Sequence, residues 1–194
     1  MPRPKSFDVD DVLDRAVDLF WVNGYAATSM EDLVNHLGIN RGSLYSTFGS
    51  KQELYERALD RYATVGRDWL AAMLSDPAIA LRDTITTILT SSAETTDHRG
   101  CLLVNTAMER NATDDRSLDL TSNALNVRRA ILAAAFESRR NELANGVTPD
   151  RAADLVLVAA QGLRVVDTTA SKIGADSTIQ NVLDTLTPKP PARR

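Results

Sequence analysis

Between positions 41 and 51 the chain gathers an arginine, several small hydroxyls, a phenol and a lysine: Arg41, Ser43, Tyr45, Ser46, Thr47 and Lys51, with Gly42 among them. Such side chains suit base edges and phosphate oxygens. A guanidinium reads a guanine edge in two-pronged fashion, while hydroxyls, a phenol and an ammonium hold the sugar-phosphate backbone. Gly42 adds no bulk, so the main chain can come close to a duplex. Residues suited to catalysis are scarce by comparison. His36 and His98 lie far apart, and no Cys/His spacing for zinc, nucleophile elbow or glycine-rich phosphate loop occurs. The acidic runs at 8–14 and 114–115 read as helix N-terminal charge and solvated surface rather than paired catalytic carboxylates. These observations argue against an enzyme and call for no metal and no cofactor.

The binding residues need elements to carry them. Thr28 and Glu31 have the spacing of a capping box. Leu33 and Leu37 then share one helix face, and Gly38 is suited to end that helix because its C′ position takes positive φ. Asn40 can cap the next helix, whose inward pair is Leu44 and Phe48. At 100° per residue Gly42, Ser43 and Ser46 then point outward, with Arg41, Tyr45 and Thr47 on the flanks. Ser50 and Glu53 repeat the capping-box spacing and open a long helix. Lys51 stands in its first turn, where a cation is disfavoured unless a phosphate partners it. Two short helices around a glycine turn describe a helix-turn-helix, with the second in a DNA major groove.

The stretch 20–59, through Gly24-Tyr25, Thr28-Ser29, Gly38-Ile39, Ser43-Leu44-Tyr45, Phe48, Ser50-Lys51 and Leu54-Tyr55, resembles the N-terminal DNA-binding domain of the TetR/AcrR family of bacterial transcriptional regulators. The resemblance implies that Thr28 and Ser29 touch phosphates, Arg41 and Ser43 reach bases, Tyr45 and Lys51 hold the backbone, and Ser46 and Thr47 line the groove. It covers roughly the first third of the chain. The ligand does not carry over, because the rest of that family diverges.

The chain has 194 residues, 43% of them hydrophobic and 25% charged, which is ordinary for a globular protein with a sizeable core. No apolar run approaches the ~20 residues needed to span a bilayer, and the N-terminus has no apolar segment of a secretory signal. A lone cysteine excludes an internal disulfide and fits a reducing cytoplasm. The net charge of −4 is unexpected for a nucleic-acid partner. Even the first fifty residues carry more carboxylates than cations, because Asp8, Asp10, Asp11, Asp14 and Asp18 crowd the first helix. What counts for counterion release is the charge facing the phosphates, and Arg3, Lys5, Arg41 and Lys51 could share one face. The arm holding Arg3 and Lys5 is either a disordered terminus or a minor-groove reader.

Periodicity predicts helices throughout, giving an all-α fold. Val12, Leu13, Ala16, Leu19 and Phe20 mark a first helix over 8–23, ended by Gly24. The helix opened at 51 continues through Leu54, Tyr55, Ala58, Tyr62, Val65, Leu70 and Met73 to Pro77. Gly66 inside it costs about 1 kcal/mol against alanine, which a close helix contact explains better than a hinge. Further helices are expected over 80–93, 101–111, 117–144, 151–171 and 176–186, the last followed by a disordered tail. Thr148-Pro149 supplies cap and first-turn proline, and Asn145-Gly146 a stop.

The resulting organisation is a three-helix helix-turn-helix domain over 1–50, helped by the first turn of the next helix. A helical effector-binding and dimerisation domain over 51–187 and a tail over 188–194 follow. The helix 154–166 is apolar nearly all round. It either forms the centre of a monomer core or, as the resemblance also implies, pairs, together with the final helix, with their copies in a four-helix interface between two chains on an inverted-repeat operator. For sensing there are two expectations. Cys101 follows His98-Arg99-Gly100 at a helix start, which favours a thiolate, and the segment is similar to that of family members responding to electrophiles or oxidants; against this, the Leu102-Leu103-Val104 beside it suggests a core residue. Alternatively Trp69, Met73, Asn105, Met108, Phe136 and Gln161 line a pocket for a small, largely apolar effector. Lys172 could neighbour the thiol. The expected partners are double-stranded DNA, a second copy and that effector, with no membrane. A helix-turn-helix used only for protein contacts is the remaining alternative.

Overall fold

The computed structural model describes residues 7–94, 97–110, 116–169 and 174–188. The basic arm with Arg3 and Lys5, the pair Asp114-Asp115, Lys172 and the tail beyond 188 lie outside them. Within the described residues the chain is all helix: α1 Val9–Ala27, α2 Met30–Leu37, α3 Arg41–Phe48, α4 Lys51–Leu74, α5 Leu81–Ala93, α6 Leu102–Arg110, α7 Arg116–Ser138, α8 Pro149–Asp167 and α9 Ala175–Leu186. They form two compact units, one of residues 1–65 with 102–123 and the other of 66–101 with 124–194. This division differs from a boundary at 50, because the first half of α4 and all of α6 pack with the helix-turn-helix.

The first unit is built on α1. Asp8 caps it by accepting the Asp10 amide at 2.8 Å, and Val12, Ala16 and Phe20 bury its inner stripe. The same unit buries Leu33 and Leu37 of α2, Leu44 and Phe48 of α3, and Leu54, Tyr55, Ala58 and Leu59 of α4, all essentially inaccessible. Each of the leucine and phenylalanine side chains contributes about 1.5–3 kcal/mol on leaving water. The Phe20 and Tyr55 rings meet edge to face, 4.9 Å between centroids. Arg15 ties α1 to the end of α2, donating from Nη1 to the Leu37 carbonyl at 2.7 Å. Two of the crowded aspartates are engaged within the unit: Asp11 pairs with Arg15, and Asp14 accepts both Arg61 Nε and Nη2 at 2.8 and 2.9 Å. Val65, expected inward on α4, is 56% exposed; Leu59 and Leu74 take the buried positions.

The second unit centres on α5, α8 and α9. Leu81, Ile85 and Leu89 of α5 meet Ala152, Val156 and Leu163 of α8, Val182, Leu183 and Leu186 of α9, and Leu132 and Phe136 of α7. The threonine-rich α5 satisfies its own hydroxyls, Thr86 donating to the Arg82 carbonyl at 2.8 Å and Thr87 to Asp83 at 3.0 Å. Its N-terminus begins after Ala80, which has no capping side chain; the Glu142 carboxylate takes the Leu81 amide instead, at 2.7 Å. That need explains why α7 stops at Ser138 and not near 144 as periodicity suggests. Buried Arg139 turns in to bond Glu142 at 2.7 Å, and a short 3-10 turn, Arg140–Glu142, delivers the carboxylate. The Arg139 guanidinium holds the Glu142 carboxyl below its ordinary pKa. Thr148 and Pro149 begin α8 as expected, with the Thr148 hydroxyl accepting from the Arg151 amide.

Gly66 has the close contact anticipated for it. A Cβ there would stand 2.3 Å from Nη2 of Arg128, a guanidinium that is itself buried in the same unit. Replacing Gly66 by alanine improves helix propensity by about 1 kcal/mol but forces that buried side chain aside, at about 1–3 kcal/mol. We expect Gly66→Ala to lower the free energy of unfolding measured by urea denaturation. A gain of about 1 kcal/mol would show that packing does not require the glycine.

Candidate nucleic-acid interface

Local chemistry starts α2 one residue later than the capping pattern put it and leaves α3 where Asn40 was expected to cap it. The N-cap of α2 is Ser29, whose hydroxyl accepts the Asp32 amide at 3.1 Å while Asp32 Oδ2 takes the Ser29 amide at 2.8 Å. The Thr28/Glu31 box is therefore corrected to Ser29/Asp32. Thr28 is fully buried and its hydroxyl donates to the Gly24 carbonyl at 2.6 Å. A side chain with no surface, and with its proton committed, cannot reach a phosphate, so the expected contact from Thr28 is also corrected. Hydrogen bonds to Ser29 hold the Asp32 carboxyl below its ordinary pKa, with a smaller contribution from Lys51. Gly38 ends α2 in the left-handed region, its amide donating to the Val34 carbonyl, and Asn40 Oδ1 caps α3 through the Ser43 amide at 2.8 Å.

On α3, burial of Leu44 and Phe48 fixes the opposite face. Arg41, Gly42, Tyr45 and Ser46 are exposed, and Ser43 and Thr47 half-buried on its flanks. Tyr45 is 42% exposed, with the Arg41 guanidinium 5.8 Å from its ring centroid. The Ser46 hydroxyl donates to the Ser43 carbonyl at 3.1 Å. The exposed side of α3 is thus narrow, polar and without aliphatic bulk, a shape that enters a groove.

The start of α4 adjoins it. Ser50 accepts the Glu53 amide at 3.0 Å, so the hydroxyl half of the expected cap is in place. Lys51 extends over the Tyr25 ring, 4.2 Å from its centroid, and Arg110 of α6 lies 4.1 Å from the same ring. Burial pushes the Lys51 ammonium below its ordinary pKa; Glu109 opposes this, Arg110 adds to it, and Asp32 also opposes it. Three residues not singled out from the sequence thereby join this region, Arg57, Glu109 and Arg110, around Tyr25, which the sequence offered only as part of the family resemblance. Arg57 sits over Phe48 at 5.6 Å and reaches the Thr47 carbonyl at the end of α3. Its place in the second turn of α4, close in sequence to α3, could have pointed to it. Glu109 and Arg110 are more than fifty residues away, and no local pattern could have.

The residues expected around an effector do not fall together in one unit. Trp69, Met73, Cys101, Phe136 and Gln161 belong to the second unit, whereas Asn105 and Met108 belong to the first. Met108 is 71% exposed and Phe136 wholly buried in the second core. Cys101 is buried and precedes the first residue of α6. Among the described residues no cluster of metal-ligating side chains occurs, and no helix is long and apolar enough to cross a membrane.

Residues 12–58 match the model of the bacterial regulatory proteins of the tetR family. The chain is 34% identical over 113 residues to an HTH-type transcriptional regulator of Bacillus subtilis, YezE, covering 57% of this chain and 58% of that one. It is 50% identical over 60 residues to the transcriptional repressor ComR of Escherichia coli, covering 31% of this chain and 29% of ComR. It thus spans less than two thirds of either relative. Among solved structures, a cysteine-substituted CifR bound to a 26-base-pair operator duplex superposes with TM-score 0.74 at 26% identity, over 95% of this chain and 99% of that one. Reduced NemR of E. coli superposes with TM-score 0.81 over 93% and 97% of the two chains; at 18% identity it speaks for the fold alone. The helix-turn-helix of residues 12–58 thus matches the tetR family of bacterial regulatory proteins, and the chain as a whole shares its fold with CifR and NemR.

Proposed function

We propose that the protein is a homodimeric, cytoplasmic transcriptional repressor that binds an inverted-repeat DNA operator and is released from it by a small effector. The observation that carries this reading is the exposed face of α3. Arg41, Gly42, Tyr45 and Ser46 stand free of aliphatic bulk, flanked by Ser43 and Thr47 and next to Lys51. Ser29, exposed at the start of α2, is placed for a backbone phosphate. The repressor name of ComR and the operator in the CifR complex support the same reading. Residues 1–50 with the first turn of α4 serve DNA, and 51–187 serve effector binding and dimerisation. Effector and operator favour different arrangements of the same helices, which is all that release requires.

Pairing of two copies is supported by α8. Val158 is 68% exposed and Val165 50%, with Gly162 between them facing open space. Solvent-facing valines at this spacing, beside a residue without a side chain, suit close packing of a second helix. For the effector, noncovalent binding is favoured over thiol chemistry, because Cys101 is only 1% exposed and a buried thiol is not presented to an electrophile.

Selection of bound duplexes from a random pool is expected to enrich an inverted repeat. On that duplex Arg41→Ala should cost about 1–3 kcal/mol and relax one base position, while Lys51→Ala weakens all sequences alike and lowers the salt slope by about one. No enrichment even at low salt would leave only the protein-contact use of the fold. Val158→Lys should shift the protein from dimer to monomer in sedimentation and weaken operator binding; an unchanged dimer would remove α8 from the interface. Cys101→Ser should leave operator release by an inducer of the wild type intact, and loss of the response would move sensing to the thiol.

A further inference from the structure

The break in α1 leaves a problem that a distant residue solves. At Gly24 the backbone turns to φ 77°, ψ 175°, so the amides of the next residues lose their helical acceptors. Both are taken by one carboxylate of α6: the Tyr25 amide donates to Glu109 Oε2 at 2.9 Å and the Ala26 amide to Oε1 at 2.6 Å. Glu109 is in the last turn of α6, where a negative charge opposes the helix dipole. Its position serves the amides rather than its own helix. Gly24 admits it in two ways, since positive φ suits glycine and a Cβ there would stand 3.0 Å from Oε2 and 3.3 Å from Cδ of Glu109.

The segment held in this way leads directly into the DNA-facing residues. The Gly24 carbonyl takes the Thr28 hydroxyl, and Ser29 then caps α2. The neighbour of Glu109, Arg110, lies on the Tyr25 ring and donates from Nη2 to Gln52 Oε1 at 3.2 Å, while Lys51 occupies the same ring. The charge of Glu109 also favours the protonated form of Lys51.

We propose that Glu109 is a positioning residue for DNA binding: by gripping the Tyr25 and Ala26 amides it sets where α2 begins and, with Arg110, keeps Lys51 aimed at a phosphate. This rests on the DNA-binding reading above. It deepens that reading by assigning to the end of α6 a part in making the interface competent.

The test compares wild type, Glu109→Ala and the milder Glu109→Gln, with thermal unfolding as control. Hydrogen exchange at the Tyr25 and Ala26 amides should accelerate, and affinity for the selected duplex should fall about tenfold in Glu109→Ala. Glu109→Gln should change both in the same direction by less, and this variant decides if the alanine variant unfolds. The salt slope should drop by about one, and the effects of Glu109→Ala and Lys51→Ala should be less than additive, which simple destabilisation would not produce. Unchanged exchange, or unchanged affinity and slope while the wild type binds, would overturn the proposal. A rise in affinity would overturn it too, since the carboxylate would then be competing with phosphate. Failure of the wild type to bind any duplex would overturn the DNA-binding reading and this proposal together.

Discussion

Two backbone amides left open at a helix break set the terms for the first unit. A chain that turns at Gly24 leaves the Tyr25 and Ala26 amides without helical acceptors, and a side chain that takes both fixes the turn more firmly than water would. The carboxylate of Glu109 supplies both acceptors. Its arrival brings α6 against the region, places Arg110 on Tyr25 and puts a negative charge near Lys51. The helix-turn-helix is therefore not self-contained. One of its boundary conditions is imposed by a helix that follows it by more than forty residues in the chain.

In an acidic chain, the proposed DNA binding requires that negative charge be engaged elsewhere. Here the carboxylates of α1 go to capping and to arginines of their own unit: Asp8 to the helix N-terminus, Asp11 to Arg15 and Asp14 to Arg61. Arg41 and Lys51 engage aromatic rings instead, through Tyr45 and Tyr25. A cation resting on a ring retains its charge for a phosphate, whereas one in a bidentate carboxylate pair does not. The proposed interface works by local arrangement of a few cations and not by net charge, which leaves shape and small side chains on α3 to carry much of its discrimination.

The second unit follows the same economy in another form. An uncapped α5 begins at Leu81, and the turn after α7 carries Glu142 to it under the hold of buried Arg139. Arg82 binds Asp184 and Thr187 and so fastens α5 to the end of α9. These polar contacts fix the register of an otherwise aliphatic core, and they leave one side of α8 without cover in the isolated chain.

The sequence by itself determined the all-helical fold, the order of the helices and the inward and outward faces of α3, because periodicity, caps and glycine stops are local and act within one or two turns. Leu33, Leu37, Leu44 and Phe48 were legible as core, and Gly38 and Asn40 as punctuation, for that reason. Near-equivalent hydroxyls were harder. Thr28 and Ser29 both offer a cap, and only packing chose Ser29, by burying Thr28 on the Gly24 carbonyl. The end of α7 was likewise hidden, because apolar spacing runs past Ser138 and the need of α5 for Glu142 lies sixty residues away. Only the tertiary structure could decide which distant carboxylate would serve which open amide. Such pairings depend on where helices end in space, and nothing within a turn of Gly24 or Glu109 records the other.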